Sequence, residues 1–418
     1  MQEMIAQKIK GHPLYVFRDF RNLFIGRLIS AVGDKFFTIA VAWWVISGSG
    51  ESAKLQLGLV MAVNVIPVVL FGPLLGTLAD RSNKRSVMLA ADAGRMACLF
   101  ILAWLLYAGS LTLPALYALC FLISAFGPLF ESAVASSIVR LTSDETLPGA
   151  TATDASVVQL SNVFGSALGS VLMAVIGVIG AFVFNGLAYL ASFFAVFSIK
   201  TDLSPSRSGE SNYMDELKGG VAYIVRNRPL LSLIIVFGAF NFFVGPILML
   251  IPMIVKFTLK ESVTWLAVFE TFFALGSTAA SLTASFRKEY KDIYKTFFYS
   301  VIALGAAFGG LYFTVDKYLI CALLCSAGAA LGAGNAAALT LFQTTVAPEM
   351  KGRFFAVLTT ICYAALPLTF MFNGFLAEKF SVDFSIAFNS IAVLAISFVI
   401  LLIPRVPKAE SQNGGDKK

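Results

Sequence analysis

Four polar residues share one face of the first long apolar segment of the chain. They are Arg27, Ser30, Asp34 and Thr38. Their spacing brings them to the same side of a helix, because successive helical residues turn by about 100°. Asp34 lies about 18 Å from the predicted cytoplasmic end of this helix, near the middle of a bilayer. Ionisable groups at that depth are costly and therefore functional candidates, and the other three residues are candidates for contacting a substrate.

A second carboxylate, Glu131, lies in the fourth apolar segment. It shares a helix face with Ser124, seven residues earlier, and lies about 15 Å from the predicted cytoplasmic end of its helix. Two carboxylates at similar depth can take up and release protons, and a nearby cation shifts that balance. We predict that Asp34 and Glu131 couple proton movement to the binding of a substrate. The alternative is that Asp34 pairs with Lys35 or Arg27 and only fixes helix packing.

The second half of the chain offers three more polar residues inside apolar segments. Glu270 is predicted to be a further protonation site or a contact for a cation. Asn241 and Asn335 are candidates for contacting a substrate. Asn335 follows a run of small residues that allows close helix approach, so an interhelical hydrogen bond is its alternative role.

A short basic loop between the second and third apolar segments is the most distinctive motif of the chain. It runs Gly76-Thr77-Leu78-Ala79-Asp80-Arg81-Ser82-Asn83-Lys84-Arg85. Two further charged residues, Asp92 and Arg95, lie near the start of the following helix and are predicted to join its charges in a cluster. This conformational gate on the cytoplasmic side is predicted to comprise Gly76, Asp80, Arg81, Lys84, Arg85, Asp92 and Arg95. The alternative is that the loop only anchors the membrane topology.

The composition requires elements that cross a membrane. Hydrophobic residues make up 58% of the chain and charged residues 13%, with a mean hydropathy of +0.82, whereas a soluble domain has about 25% charged residues. Apolar windows of about 20 residues can span a bilayer. Twelve such windows lie near 22–47, 55–78, 87–108, 113–141, 150–178, 180–199, 230–256, 262–286, 293–315, 318–346, 354–380 and 383–404. The chain is predicted to be an all-α polytopic membrane protein.

The loops predict how the chain is oriented and divided. Lys and Arg concentrate in alternate loops, which places both termini in the cytoplasm of a cell with this protein in its inner or plasma membrane. No removable signal peptide is expected at the amino end. The predicted parts are a six-helix bundle over 1–199, a cytoplasmic linker over 200–229, a six-helix bundle over 230–404 and a disordered cytoplasmic tail over 405–418. Within the linker, residues 213–225 are predicted to form an interfacial helix.

The basic loop resembles the signature between spans two and three of the major facilitator superfamily, Gly-x-Leu-(Ala/Gly)-Asp-Arg-x-Gly-(Arg/Lys)-(Arg/Lys). Asn83 stands where the family has a glycine, and asparagine is among the residues most tolerant of a left-handed turn. Residues 20–24, 33–34 and 348–353 are similar to the branch that holds macrolide-efflux proteins and siderophore exporters.

The resemblance implies a fold of two six-helix bundles, with a central cavity lined by spans one and four. Asp34 and Glu131 would then face that cavity together, and Asp80 would cap span eleven near Phe354. Two features depart from the drug–proton antiporters of the superfamily. Residues 116–139 contain no arginine, and residues 165–170 lack the proline of the span-five signature.

Other features exclude whole classes of function. His12, the only histidine, precedes the first span, so a histidine proton relay or histidine metal site within the membrane is excluded. No Gly-x-x-x-x-Gly-Lys loop occurs, so ATP-driven transport by this chain is unsupported. We expect no enzymatic activity, cofactor, metal or nucleic-acid partner.

The sequence therefore predicts a monomeric secondary transporter that exports small amphipathic molecules, drug-like or siderophore-like, by alternating access. Its partners would be the substrate, the lipid bilayer and protons as the coupling ion. Three alternatives stay open. They are a lysophospholipid flippase of the same fold, an uptake permease for sugars or metabolites, and a membrane-embedded enzyme or receptor.

Overall fold

The computed structural model describes residues 12–48, 50–204, 213–285, 290 and 292–402. These residues form helices, turns and short connections, and no strand occurs among them. The helices are α1 (Pro13–Val16), α2 (Arg18–Gly48), α3 (Ala53–Arg81), α4 (Lys84–Tyr107), α5 (Leu113–Leu141), α6 (Leu147–Phe197), α7 (Tyr213–Arg226), α8 (Arg228–Val244), α9 (Ile247–Met253), α10 (Val263–Ser285), α11 (Ile293–Gly310), α12 (Lys317–Thr345), α13 (Lys351–Lys379) and α14 (Val382–Leu402). Three-residue 3₁₀ turns lie at Gly50–Ser52, Leu311–Phe313 and Pro348–Met350, and a π-helical turn lies at Ile254–Thr258.

Eleven helical segments of the described chain are long and apolar enough to cross a membrane. Predicted spans five and six are joined in the single long helix α6, of 51 residues. The helix is interrupted at Gly177, whose φ is 66° and ψ is −174°. That backbone conformation is essentially restricted to glycine, so Gly177 separates the two halves, here named α6a (147–176) and α6b (178–197).

The basic loop is a tight connection between α3 and α4. Lys84 is buried, and its ammonium group donates to the carbonyl oxygens of Ala79 at 2.9 Å and Ser82 at 3.2 Å, which closes the end of α3. Asn83 caps α4 by accepting a hydrogen bond from the Ser86 amide at 3.2 Å. Its φ is −64°, so the turn requires no left-handed residue here, and Asn83 serves as an ordinary helix N-cap.

The described residues divide into two compact units. One combines those of Met1–Ser208 with Ile251–Thr271, and the other combines those of Gly209–Leu250 with Phe272–Lys418. The helix predicted in the linker is present as α7, which packs against α13 and α8. The four-part division of the sequence stays a prediction, and the predicted disordered tail lies outside the described residues.

Candidate functional site

Arg27 of α2 connects two carboxylates from different helices. Its Nη2 atom lies 2.5 Å from Glu131 Oε2 on α5, and its Nη1 atom donates to Asp154 Oδ1 on α6a. The Arg27 side chain is only 10% exposed, whereas those of Asp154 and Glu131 are 22% and 59% exposed. Two carboxylates share one guanidinium, so this trio carries one excess negative charge, and Glu131 is its accessible member.

Asp34 lies on the same face of α2, about two turns further along the helix, and contacts α6b. Its Oδ1 atom accepts hydrogen bonds from the Tyr189 hydroxyl at 2.6 Å and from Asn185 Nδ2 at 3.3 Å. The neighbouring residue Gly33 permits this approach, because a β-carbon there would lie 2.3 Å from Asn185 Oδ1. Asn185 and Tyr189 are almost completely buried, while Asp34 is partly exposed.

Asp92 and Arg95 of α4 face the same side of α6b. The Ser192 hydroxyl donates to Asp92 Oδ2 at 2.7 Å, and Arg95 Nη1 lies 3.4 Å from the Tyr189 hydroxyl oxygen. The guanidinium also lies over two aromatic rings, 5.3 Å from the centroid of Tyr189 and 5.5 Å from that of Phe130. Asp92 Oδ1 and Arg95 Nε are buried without a hydrogen-bond partner.

These contacts form one polar cluster inside an otherwise apolar helix interface. We name it the α2–α4–α6b cluster; its members are Asp34, Asp92, Arg95, Asn185, Tyr189 and Ser192. Arginine keeps its charge in proteins, and both carboxylates interact electrostatically with Arg95. The cluster is therefore electrically neutral when one of its two carboxylates holds a proton. A fully buried carboxylate with a single hydrogen bond, such as Asp92, is costly when ionised.

Asp34 and Glu131 have different partners in this geometry, and their predicted exposure to one cavity stays a prediction. The two carboxylates belong to separate groups, one bonded to α6b and the other ion-paired to Arg27. Asp34 also does not pair with Arg27 or Lys35, as the alternative prediction had it. The reason is that α6a and α6b both pack along α2, so residues on one stripe of α2 contact different partners.

Two of the three remaining polar residues predicted in spans one and four bond within their own helix. The hydroxyls of Ser30 and Thr38 donate to carbonyl oxygens of their own helix, at Arg27 (3.1 Å) and Asp34 (2.8 Å). Ser124 instead crosses between helices and contacts Asn64 Oδ1 at 3.2 Å. A role in substrate contact stays a prediction for all three.

Asp92 and Arg95, which the gate prediction grouped with the loop charges, are buried and contact Ser192 and Tyr189 of α6b, and their part in a gate stays a prediction. Among the loop residues, Arg85 donates to the carbonyl oxygen of Phe197 and lies 5.1 Å from the centroid of its ring. The carbonyl of Gly76 accepts a 3.4 Å hydrogen bond from Ser132. These contacts tie the loop to its own unit.

The contacts of the other two charged loop residues, Asp80 and Arg81, do not test the gate prediction. Arg81 is exposed, and the side chain of Asp80 lies outside the described part of the chain, so the proposed capping of span eleven stays a prediction.

The polar residues predicted in the second half are partly buried. Asn241 donates to the carbonyl oxygen of Phe237 on its own helix at 2.8 Å. Glu270 on α10 and Asn335 on α12 are each partly exposed. Their predicted roles are untested. Within the described residues, no group of three or more His, Cys, Asp or Glu side chains could hold a metal ion.

The second unit has its own buried polar network, which is uncharged. Asn373 Oδ1 accepts from Ser385 at 2.9 Å and from Asn389 Nδ2 at 2.5 Å, and its amide donates to the Thr369 carbonyl oxygen at 3.0 Å. All four residues are fully buried. Asparagine, serine and threonine do not titrate near neutral pH, so this network can position helices but cannot carry a proton.

Four members of the two ionic groups were missed from the sequence: Asp154, Asn185, Tyr189 and Ser192. Asp154 is the eighth residue of α6a and lies in a stretch rich in threonine and serine. It therefore does not stand out as a lone charged residue in an apolar segment. Asn185 had a usable signal, since it is a lone amide within a strongly apolar run. Tyr189 and Ser192 follow it at helical spacing and lie on the same face.

Nearly the whole chain matches a known family. A family model described as "Transmembrane secretion effector" matches residues 13–417. Macrolide efflux protein A of Streptococcus pyogenes is 21% identical over 397 residues, which cover 94% of this chain and 97% of that protein. The multidrug efflux pump Tap of Mycolicibacterium fortuitum is 22% identical over 388 residues, covering 91% of this chain and 94% of that pump.

Among solved structures, the nucleoside transporter NupG superposes with a TM-score of 0.74 at 14% identity, over 92% of this chain and 98% of that one. The likeness is one of fold, and it confirms the predicted twelve-helix, two-bundle architecture. Together with the loop signature and the match over residues 13–417, it shows that this multi-pass membrane protein belongs to the transmembrane secretion effectors of the major facilitator superfamily, in the branch that includes the macrolide-efflux proteins.

Proposed function

We propose that this protein is a proton-coupled exporter of small amphipathic molecules that works by alternating access. The observation that carries the proposal is the α2–α4–α6b cluster, in which two carboxylates accompany one buried guanidinium. The efflux function named for two relatives supports export as the direction. The loop charges predict that both termini lie in the cytoplasm of the producing cell.

Proton coupling follows from the charge balance of the cluster. With one proton bound, Arg95 neutralises the remaining carboxylate and the buried helix interface carries no net charge. Losing that proton leaves an uncompensated negative charge in a low-dielectric interior, which favours a rearrangement that exposes or re-pairs it. Asp34, the partly exposed member, is the natural point of exchange with water, and Asp92 is the buried member.

The Arg27 trio is suited to the substrate side of the cycle. Glu131 is the exposed carboxylate, and Asp154 remains as a partner for Arg27 when Glu131 is occupied elsewhere. A cationic amphipathic molecule can therefore pair with Glu131 without leaving Arg27 as an isolated buried charge. Glu270, Asn241 and Asn335 stay candidates for contacts on the other half of the transport path.

The structure offers less to the flippase alternative. Two of the phenylalanines in span seven, Phe237 and Phe240, are buried against Phe297 and Phe342 in the core of their unit. They do not form an open aromatic wall for a lipid substrate.

The test is transport into proteoliposomes with an imposed proton gradient, using a labelled macrolide and an amphipathic cationic dye. Wild-type protein should accumulate one of them above its equilibrium level, and Asp34→Asn should equilibrate it without accumulation. Asp202→Asn is the matched control, because Asp202 is an exposed carboxylate in the connection after α6. Accumulation by Asp34→Asn equal to that of wild type would contradict proton coupling through this cluster.

A further inference from the structure

An apolar groove lies on the second unit where α7, α8 and α13 meet. It has a volume of about 350 Å³, and every residue along it is apolar. The lining residues are Val221, Ile224, Val225, Leu231, Ile234, Ile235, Gly238, Ala239, Val357 and Ile361. The helices α7 and α8 end and begin on either side of Asn227.

The groove follows a membrane span inward from one end. Its lining on α8 runs from Leu231 to Ala239, about 12 Å at the helical rise of ~1.5 Å per residue. The span of which α8 is part begins at Arg228. The groove therefore starts at the edge of the hydrocarbon layer and continues towards its interior.

Two arginines flank the outer end of the groove. Arg226 is the last residue of α7 and Arg228 the first of α8, and both are exposed. Neither guanidinium group makes a salt bridge or hydrogen bond with another side chain in the described part of the protein. Their guanidinium groups are free to take a phosphate group, for which arginine has a matching pair of donors.

We propose that this groove binds an anionic phospholipid, with an acyl chain between α7, α8 and α13 and the phosphate on Arg226 and Arg228. The acyl chain of such a lipid matches the apolar groove, which enters the membrane. Its phosphate group matches the two arginines at the membrane boundary. Basic residues next to a span attract anionic lipids in the same way. A bilayer supplies the occupant at high concentration along the length of the span.

The bound lipid would hold α7 in place against α13. Gly220 of α7 lies against the backbone of α13, where a β-carbon would be 2.6 Å from the Arg353 carbonyl oxygen and 2.8 Å from Val357. Val357 also lines the groove. An acyl chain in the groove would fill the space beside the contact between Gly220 and α13. It would pack against the apolar surfaces of both α7 and α13.

The experiment measures lipid retention by the full chain, purified in detergent and titrated with phosphatidylglycerol or phosphatidylcholine, by native mass spectrometry. Wild-type protein should retain phosphatidylglycerol in preference. The double variant Arg226→Gln/Arg228→Gln should lose that preference by about tenfold or more. The matched control is Arg18→Gln/Arg21→Gln, which removes two exposed arginines at the start of a different span and should keep it.

The acyl chain is tested separately from the headgroup. Gly238 lines the groove, and a β-carbon there would make an ordinary contact with Ile361, at 3.6 Å. Gly238→Leu therefore places a side chain in the groove, and it should weaken retention with both arginines present. Dihexanoyl phosphatidylglycerol and inorganic phosphate should compete poorly. Equal binding of the short-chain lipid, or equal losses in the control and the Arg226/Arg228 variant, would overturn the proposal. No transport is measured, so this result is independent of the proposed function.

Discussion

The hydroxyl of Tyr189 joins Asp34 to Arg95. It donates to Asp34 Oδ1 at 2.6 Å, and Arg95 Nη1 lies 3.4 Å from its oxygen. Tyr189 is thus the one side chain of the α2–α4–α6b cluster that contacts both a carboxylate and the guanidinium. Because hydrogen bonds polarise one another in a low-dielectric interior, a change of charge at Asp34 is transmitted to Arg95 through this group.

Tyr189→Phe removes that link while keeping the ring under the guanidinium. The ionised form of Asp34 loses its shortest hydrogen bond, at a cost of about 1.5–3 kcal/mol for a bond to a charged group. Release of the proton then requires more alkaline conditions, so the pH of half-maximal transport should move upward. The measurement is dye transport in proteoliposomes across a pH series. An unchanged profile with unchanged stability would show that the hydroxyl has no part in proton release.

Asp92→Asn should fix the cluster in its neutral state. One carboxylate and one guanidinium remain, so no proton is needed to balance the charge, and the variant should fold at least as well as wild type. Substrate addition to weakly buffered protein should release fewer protons than from wild type. Ser192→Ala is the comparison, since it removes the 2.7 Å hydrogen bond to Asp92 but keeps both carboxylates, and it should preserve the number of protons released.

The double variant Asp34→Asn/Asp92→Asn tests the charge balance by removing both carboxylates of the cluster. Arg95 is then buried without a counter-charge in its cluster, which should be destabilising by about 3–5 kcal/mol. Thermal unfolding in detergent should place this protein well below either single variant. Additive effects of the two single changes would contradict the view that both carboxylates share one arginine.

Variants of the two carboxylates that contact Arg27 should separate an effect on substrate binding from an effect on stability. Glu131 is 59% exposed, so Glu131→Gln should cost at most about 1 kcal/mol of stability while weakening binding of a cationic dye. Asp154 is less exposed and holds Arg27 when Glu131 is engaged, so Asp154→Asn should lower stability more. Dye binding by fluorescence anisotropy, beside thermal unfolding, distinguishes the two. Equal dye affinity of wild type and Glu131→Gln would exclude Glu131 as a cation contact.

The sequence predicted the helices better than the contacts between them. Hydropathy and loop charge identify spans because the bilayer imposes length and composition on each helix separately. Which side chain meets which depends on how helices pack, and that is why the partners of Asp34, Tyr189 and Asn185, were not predicted. The loop signature was enough to identify the family. The burial of Asp92 against Ser192 could not be predicted in the same way, because it depends on the relative positions of two helices that are distant in sequence.

The break in α6 gives the last prediction. Gly177 has a φ of 66° and a ψ of −174°, and a β-carbon there would meet nothing within 4 Å. The cost of Gly177→Ala is therefore conformational, about 1–3 kcal/mol for a non-glycine residue in this region. Gly72 in α3 also has open space around it and has a helical backbone, so Gly72→Ala is the matched control and should be neutral or stabilising by about 0.5–1 kcal/mol.

The cysteines provide the readout for this comparison. Cys98, Cys120 and Cys321 are buried free thiols, so a thiol-reactive dye labels them as the protein unfolds. The midpoint of labelling on heating should fall for Gly177→Ala and stay or rise for Gly72→Ala. Equal midpoints for the two variants would mean that α6 can pass through residue 177 as a continuous helix, and that α6a and α6b are not two separately oriented spans.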